Sequence, residues 1–362
     1  MTRFAPPEQA NIVLSNFVSA RSLRLGLAAL GEELYAFDAP GFMVPSLPRA
    51  PWPGDRMFFT DEHSLGLYLG RPGFRFAPSR LSWPLDDKVA FAEAAAAAGG
   101  EPVPALPIEA LATLDRFPVL LKGRRSWLNG RPHPRGILCE SVGQARAALA
   151  EFAAAGYVAS GFCLQAWIGD GITNCWSVAG WHNADVPGEE VMLVTQKLAA
   201  TRRGLGYALL VGTMEDPSGL VARTRSLLQR LGYTGPFELE FLQDQATGRF
   251  HELELNPRFW LQHSMLGKPA AYSLLRRYLG WSVVGDGLPT VPVLWVSGIG
   301  SVMRIIRPFR EESRRTRQII SQWKGRGACV LIDPPIPVAV RLLAEDILRR
   351  LSRWRRRSST AR

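Results

Sequence analysis

The sequence predicts a mixed α/β (α+β) fold that opens with a small, reduced N-terminal α/β domain. Three observations predict it. The chain opens with a strand-helix-strand pattern over residues 11–38. From residue 86 onward, apolar strands alternate with helical segments. Near the middle of the C-terminal half, residues 237–260 (FELEFLQDQATGRFHELELNPRFW) read as two strands around a short turn, with acids along one face. Composition agrees: of 362 residues, 47% are hydrophobic and 21% charged, an ordinary globular balance.

The elements follow in order. Residues 11–15 form a short apolar strand, residues 17–30 have helical periodicity with Gly31 as a stop, and residues 34–38 read as a second strand. Residues 40–85 are rich in Pro, Gly and Trp and read mostly as loops, with a short strand at 58–59 and a short helix at 62–69. A helix spans 86–98, with Asp86 or Asp87 as N-cap and Gly99–Gly100 ending it. The strand FPVLLK ends at Lys122 and runs into an Arg/Gly-rich loop, GRRSWLNGRPHPR, over 123–135. A strand (136–140), a helix (142–155) and a strand (162–167) come next. Further strands are expected at 173–181 and 190–198, and helices at 217–231 and 269–279. The domain limits that result are 1–85, 86–285 (divided at 168/169) and a C-terminal extension, 286–362.

The acidic hairpin carries the most chemical information. Alternation puts Phe237, Leu239 and Phe241 on one face and Glu238 and Glu240 on the other. On the return strand Leu253 and Leu255 point one way, and Glu252, Glu254 and Asn256 the other. Like charges opposed on a sheet repel. A divalent cation would remove that repulsion. Mg²⁺ takes hard oxygen ligands, commonly one or two carboxylates plus substrate phosphates. Arg258 follows at once, and a guanidinium suits a phosphate.

Lysine is rare: only Lys88, Lys122, Lys197, Lys268 and Lys324 among 43 basic residues. A compact ammonium closing an apolar strand, as at Lys122, needs an anion or water beside it. Lys88 stands early on its helix, and Gln165 ends another apolar strand before Ala166, Trp167 and Ile168.

This order of parts resembles the ATP-grasp superfamily, over residues 87–279. The most specific portion is GPFELEF…GRFHELELNPRFW, supported by Asp87–Lys88, by FPVLLK and by LQAWIGDG at 164–171. The resemblance implies an ATP-grasp fold with two subdomains around an ATP cleft, ATP and Mg²⁺ (or Mn²⁺) as cofactors, and a ligase that joins a carboxylate to an amine. It implies that Lys88 and Lys122 contact the nucleotide phosphates. Gln165 with the backbone of Ala166, Trp167 and Ile168 would form the adenine hinge, and Asp170 would meet the ribose. Glu240, Glu254 and Asn256 match the metal ligands, and Arg258 matches the arginine near the transferred phosphate. Lys197, with Arg202 and Arg203, resembles the basic segment that binds the acyl substrate. Two departures stand out. The loop at 123–135 lacks the repeated glycines of many members, and the N-terminal domain is short. Arg124, Arg125 and Arg131 either bring charge to the phosphates or are solvated.

Other chemistries find no support. There is no GxxxxGK[ST] loop and no GxSxG elbow. The five histidines lack metal-ligand spacing, and the four cysteines form no CxxC pair. Residues 1–7 have no apolar core after basic residues, so a cytoplasmic chain is expected.

The net charge of +11 is local: residues 301–362 hold 16 Lys and Arg against 5 Asp and Glu, and residues 1–300 hold 27 of each sign. Residues 338–357 fit an amphipathic helix with Val340, Leu343, Ile347, Leu351 and Trp354 on one side. Two readings stand for it. It is a docked terminal helix with a solvated end, or it is a docking segment for an anionic membrane surface, nucleic acid or an acidic protein.

Overall fold

A computed structural model describes residues 9–14, 18–37, 43–69, 73–74, 87–128, 131–134, 136–169, 174–200, 208–283, 288–299, 301, 310–341 and 343–344. The first unit has three parallel strands in the order β2-β1-β3: β1 (Asn11–Val13), β2 (Leu34–Ala36) and β3 (Arg56–Phe58). Helix α1 (Val18–Ala28) links the first two, and α2 (Glu62–Tyr68) follows the third. Asp61 caps α2 by accepting from the Ser64 N–H at 2.7 Å.

Helix α3 (Lys88–Ala97) leads to a four-stranded sheet in the order β4-β9-β5-β8. Its strands are β4 (Ala105–Pro107), β5 (Val119–Gly123), β8 (Ile137–Cys139) and β9 (Phe162–Ala166), with α4 (Val142–Ala154) between the last two. Within the Arg/Gly-rich loop, β6 (Trp127–Leu128) and β7 (Arg131–Pro132) form a two-stranded hairpin.

The largest sheet has seven strands in the order β14-β13-β10-β11-β12-β15-β16. These are β10 (Cys175–Asn183), β11 (Val191–Ala200), β12 (Ala208–Thr213), β13 (Thr234–Gln243), β14 (Phe250–Asn256), β15 (Val293–Ser297) and β16 (Cys329–Asp333). Helices α5 (Leu220–Arg230), α6 (Gly267–Leu279) and α7 (Arg310–Gly325) pack around it. Within the expected C-terminal extension, two strands join this sheet. β15 pairs with β12, and β16 pairs with β15, so residues 293–333 complete the sheet. Of the expected helix at 338–357, the described residues end at 344 and the remainder lies outside them.

The two faces of this sheet have different tasks. Phe237, Leu239 and Phe241 are fully buried with Leu227 and Leu228 of α5 and Phe91 and Ala95 of α3. On the other face Ala179, Trp181, Leu193 and Val211 pack with Leu23 and Leu27 of α1 and Leu274 and Leu275 of α6. The N-terminal unit therefore seats directly on the sheet, beside the acids of β13. Helix α3 also touches the smaller sheet, through Val89 and Ala92 against Ala105 and Cys163. It thus carries its first residue, Lys88, between the two sheets.

Candidate active site

Strands β13 and β14 pair antiparallel with Glu240 opposite Glu254 and Glu238 opposite Asn256. Directly opposed residues share a face. Glu238, Glu240, Glu254 and Asn256 therefore stand together, as alternation predicted. Glu252 does not join them. A bulge between Glu240 and Phe241 sets Glu252 opposite Phe241. Glu252 turns to the far side, fully buried, where it accepts from Arg223 Nε at 2.7 Å and the Glu101 N–H at 2.8 Å. Leu253 packs with Cys175 and Leu242 on the site side instead.

Four elements bring charge to the acids. Nζ of Lys88 lies 3.7 Å from Oε2 of Glu254, and Nζ of Lys122, on β5, lies 3.6 Å from it. Burial would raise the Glu254 pKa, but Lys122, Lys88, Lys197 and Arg258 hold it at about 2. Burial and the neighbouring Glu240 push Glu238 up to about 8, and burial with Glu254 raises Glu240 against the pull of Lys197. Burial lowers the pKa of Lys122. Burial opposes charge on Lys197, yet the Cys175 sulfur, Glu240 and Glu238 raise its pKa. Cys175 hydrogen-bonds both Lys197 and Glu240, the latter at 3.8 Å, and burial pushes its thiol up to about 12. Asn256 Nδ2 donates to Glu238 Oε2 at 3.3 Å.

The donor set fits Mg²⁺ or Mn²⁺. Glu240 and Glu254 supply two carboxylates, and an Asn256 amide that donates through nitrogen keeps its oxygen for a cation. Among the described residues no group of three His, Cys, Asp or Glu is placed to hold a metal by itself.

The side of the site facing the acids is built by α3, β5, β9 and the hairpin loop. A recess is lined by Asp87, Lys88, Phe91, Ser126, Glu254 and Asn256. Gln165 sits opposite Leu120, two residues before Lys122, and so shares the face of Lys122. The residue is 2% exposed, and its Nε2 is buried with no hydrogen-bond partner among the described residues. A buried donor left alone is costly, so this amide suits a ligand acceptor. In the hinge that follows, the Ala166 N–H is committed to Pro104 O at 2.9 Å. Asn174 Nδ2 donates to Ile168 O at 2.7 Å and fixes the turn. Trp167 is half-buried there. Asp170, Arg202 and Arg203 lie outside the described residues.

The loop arginines divide. Arg124 pairs with Asp87, the α3 cap, at 3.1 Å, and Arg125 pairs with it at 3.7 Å. Arg131 instead stacks 3.8 Å over Tyr157 and donates to Ala155 O. It is held away from the recess. The hairpin's Trp127 stacks on His63 of α2 at 4.6 Å. Arg258 donates through Nε to Glu62 of α2 at 2.7 Å. Cys175, Asn174 and Glu62 are the site residues that motif reading missed, and none of them carried a signal; Asp87 was legible as a helix cap and as part of the Asp87–Lys88 pair, without a role in the site.

No protein-family model and no curated protein sequence matches the chain. Solved structures do. N5-carboxyaminoimidazole synthetase from Staphylococcus aureus is similar at a TM-score of 0.61 and 12% identity, over 86% of this chain and 87% of that one. Phosphoribosylamine–glycine ligase from Thermotoga maritima gives 0.59 and 13%, over 77% and 78%. Biotin carboxylase from Campylobacter jejuni gives 0.54 and 15%, over 76% and 72%. The chain has the ATP-grasp fold, shared with these structures. At such identities the likeness is one of fold.

Proposed function

We propose that this protein is an ATP- and Mg²⁺-dependent ligase that joins a carboxylate to an amine through an acyl phosphate, releasing ADP and phosphate. One observation carries the reading: ammonium groups from two separate elements, Lys88 and Lys122, converge on Glu254, which faces Glu240 across the strand pair. Two cations and two acids at one focus are what the phosphates of a metal-bound nucleotide require. A carboxylate does not condense with an amine at neutral pH. Phosphorylation of its oxygen by the γ-phosphate creates a leaving group, and the amine then displaces phosphate. Lys88, Lys122 and Arg258 would neutralise the transferring group, and Gln165 would orient the base. Glu240, Glu254 and Asn256 would hold the metal, which supplies charge neutralisation at the phosphates. Lys197, buried beside Glu240, would meet the acyl oxygen.

Some structural neighbours are carboxylases by name. Bicarbonate therefore belongs among the acids tried, beside amino acids, short peptides and small acids. The test is release of ADP and phosphate with Mg²⁺ over pairs of such acids with amines, with products weighed by mass spectrometry. An amide or carboxylated amine is expected; a stable phosphorylated product would make the protein a kinase. Glu254→Gln should reduce ADP release by about two orders of magnitude or more, as loss of a metal ligand does elsewhere. Full activity in that variant would remove the site from the reaction.

A further inference from the structure

The short N-terminal unit reaches into the site at one point. Glu62 Oε1 accepts from Arg258 Nε at 2.7 Å, 196 positions away in sequence. Both side chains are largely buried, at 10% and 16% exposure. The corner that carries Glu62 is fixed on both sides of the pair. The Phe259 N–H donates to Phe59 O at 3.0 Å, and the Phe58 and Phe259 rings stack at 5.7 Å. Tyr278 OH donates to Met57 O. Asp61 caps the helix, so Glu62 stands on a defined first turn.

The manner of contact matters. A guanidinium gripped through both terminal nitrogens has little left for a ligand. Here Glu62 takes the inner Nε, and Nη1 donates weakly to Phe259 O at 3.4 Å. Nη2 has no hydrogen-bond partner among the described residues. Two further carboxylates act on this arginine: Glu238, beside the proposed metal ligands, and more weakly Asp61, which caps α2 and is committed to the Ser64 N–H. Without Glu62, a buried guanidinium would turn to Glu238 for its counter-charge.

We propose that Glu62 is a positioning residue that holds Arg258 side-on, with its outer nitrogens toward the transferred phosphoryl group. The N-terminal unit thereby supplies part of the catalytic apparatus. The inference rests on the nucleotide reading of the site given above.

The test compares two probes on the full chain by titration calorimetry: Mg²⁺ with ADP, and Mg²⁺ with the non-hydrolysable β,γ-imido analogue of ATP. The unaltered chain should bind the analogue more tightly than ADP. Glu62→Gln, the same in shape, should leave ADP affinity within about twofold and lose about tenfold from the analogue, the scale of one charge-assisted hydrogen bond. Arg258→Ala should lose the same increment, and the double variant no more than either single one. An undiminished analogue increment in Glu62→Gln overturns the proposal. So does an equal loss for ADP and analogue with a lowered melting temperature, because that marks a merely architectural pair. Absence of Mg²⁺·ADP binding by the unaltered chain overturns the nucleotide reading and this inference with it. Retained ADP binding with an intact increment in the variant overturns this inference alone.

Discussion

Glu238 and Glu254 lie on paired strands and titrate in opposite directions, because the cations of the site are distributed unequally between them. Glu254 has Lys88 and Lys122 within 3.7 Å and is held at about 2. Glu238, buried and next to Glu240, is pushed up to about 8. The linkage signs follow. Glu254, lowered on folding, stabilises the protein above the ordinary carboxyl range near 4.5 and loses that contribution as pH falls toward 2. Glu238, raised on folding, keeps its proton where the unfolded chain has lost it, so stability falls as pH climbs from about 4.5 to about 8. Melting temperatures of the metal-free chain should decline across that alkaline side, and Glu238→Gln should flatten the decline. An unchanged slope in the variant would place the pH dependence elsewhere. Residues such as Glu240, Glu254 and Lys122 were legible in the sequence. A charge that interrupts an apolar alternation, or ends an apolar strand, contradicts its surroundings and asks for a partner. Cys175 made no such contradiction, since a thiol in an apolar strand resembles ordinary core. Glu62 was illegible for another reason: its partner is far away along the chain, and nothing local marks it.

Secondary-structure elements show where periodicity stops being informative. Alternation assigned the right faces to Glu238, Glu240, Glu254 and Asn256, because pairing there is regular. It failed at Glu252, where one extra residue in β14 reverses the facing of everything before it. No local feature of FHELELN announces that bulge. Its cause is tertiary: Arg223 of α5 and the backbone of Glu101 claim the carboxylate, and the Val103 N–H takes the Glu252 carbonyl at 2.8 Å. β15 and β16 escaped for a related reason. Each is a short strand of four apolar residues and one polar end whose hydrogen bonds come from strands far away in sequence. Two carboxylates two residues apart therefore have separable duties. Glu252→Ala should cost about 2 kcal/mol of stability, since it strands Arg223 and a backbone donor. It should leave Mg²⁺·ADP affinity within about twofold, because the two faces share no ligand. Denaturant midpoints and calorimetry check the two halves. A loss of nucleotide affinity at unchanged stability would mean that Glu252 serves the site after all.

At the scale of the whole molecule, charge is segregated from chemistry. Residues 1–300 balance at 27 charges of each sign, and the excess of +11 belongs entirely to residues 301–362. The site draws its groups from residues 62–258, wholly inside the balanced part. Among the described residues no helix is long and apolar enough to cross a membrane. A basic end could serve as the protein's means of holding an anionic surface, or could merely be solvated. Turnover distinguishes an enzyme carrying such an end from an adaptor that depends on it. Residues 345–362 contain seven arginines and two acids. The cations at the acids, Lys88, Lys122, Lys197 and Arg258, all come from residues before 300, so the site's charge balance is assembled without these arginines. A chain ending at residue 344 should therefore keep Mg²⁺·ADP affinity and ADP release within about twofold. It should elute from a cation-exchange column at lower salt than the full chain. Comparison of both chains in the same release assay decides the matter. A collapse of turnover on truncation would show that the basic segment belongs to the catalytic unit, and would shift the protein toward a mechanism in which an anionic partner completes the site.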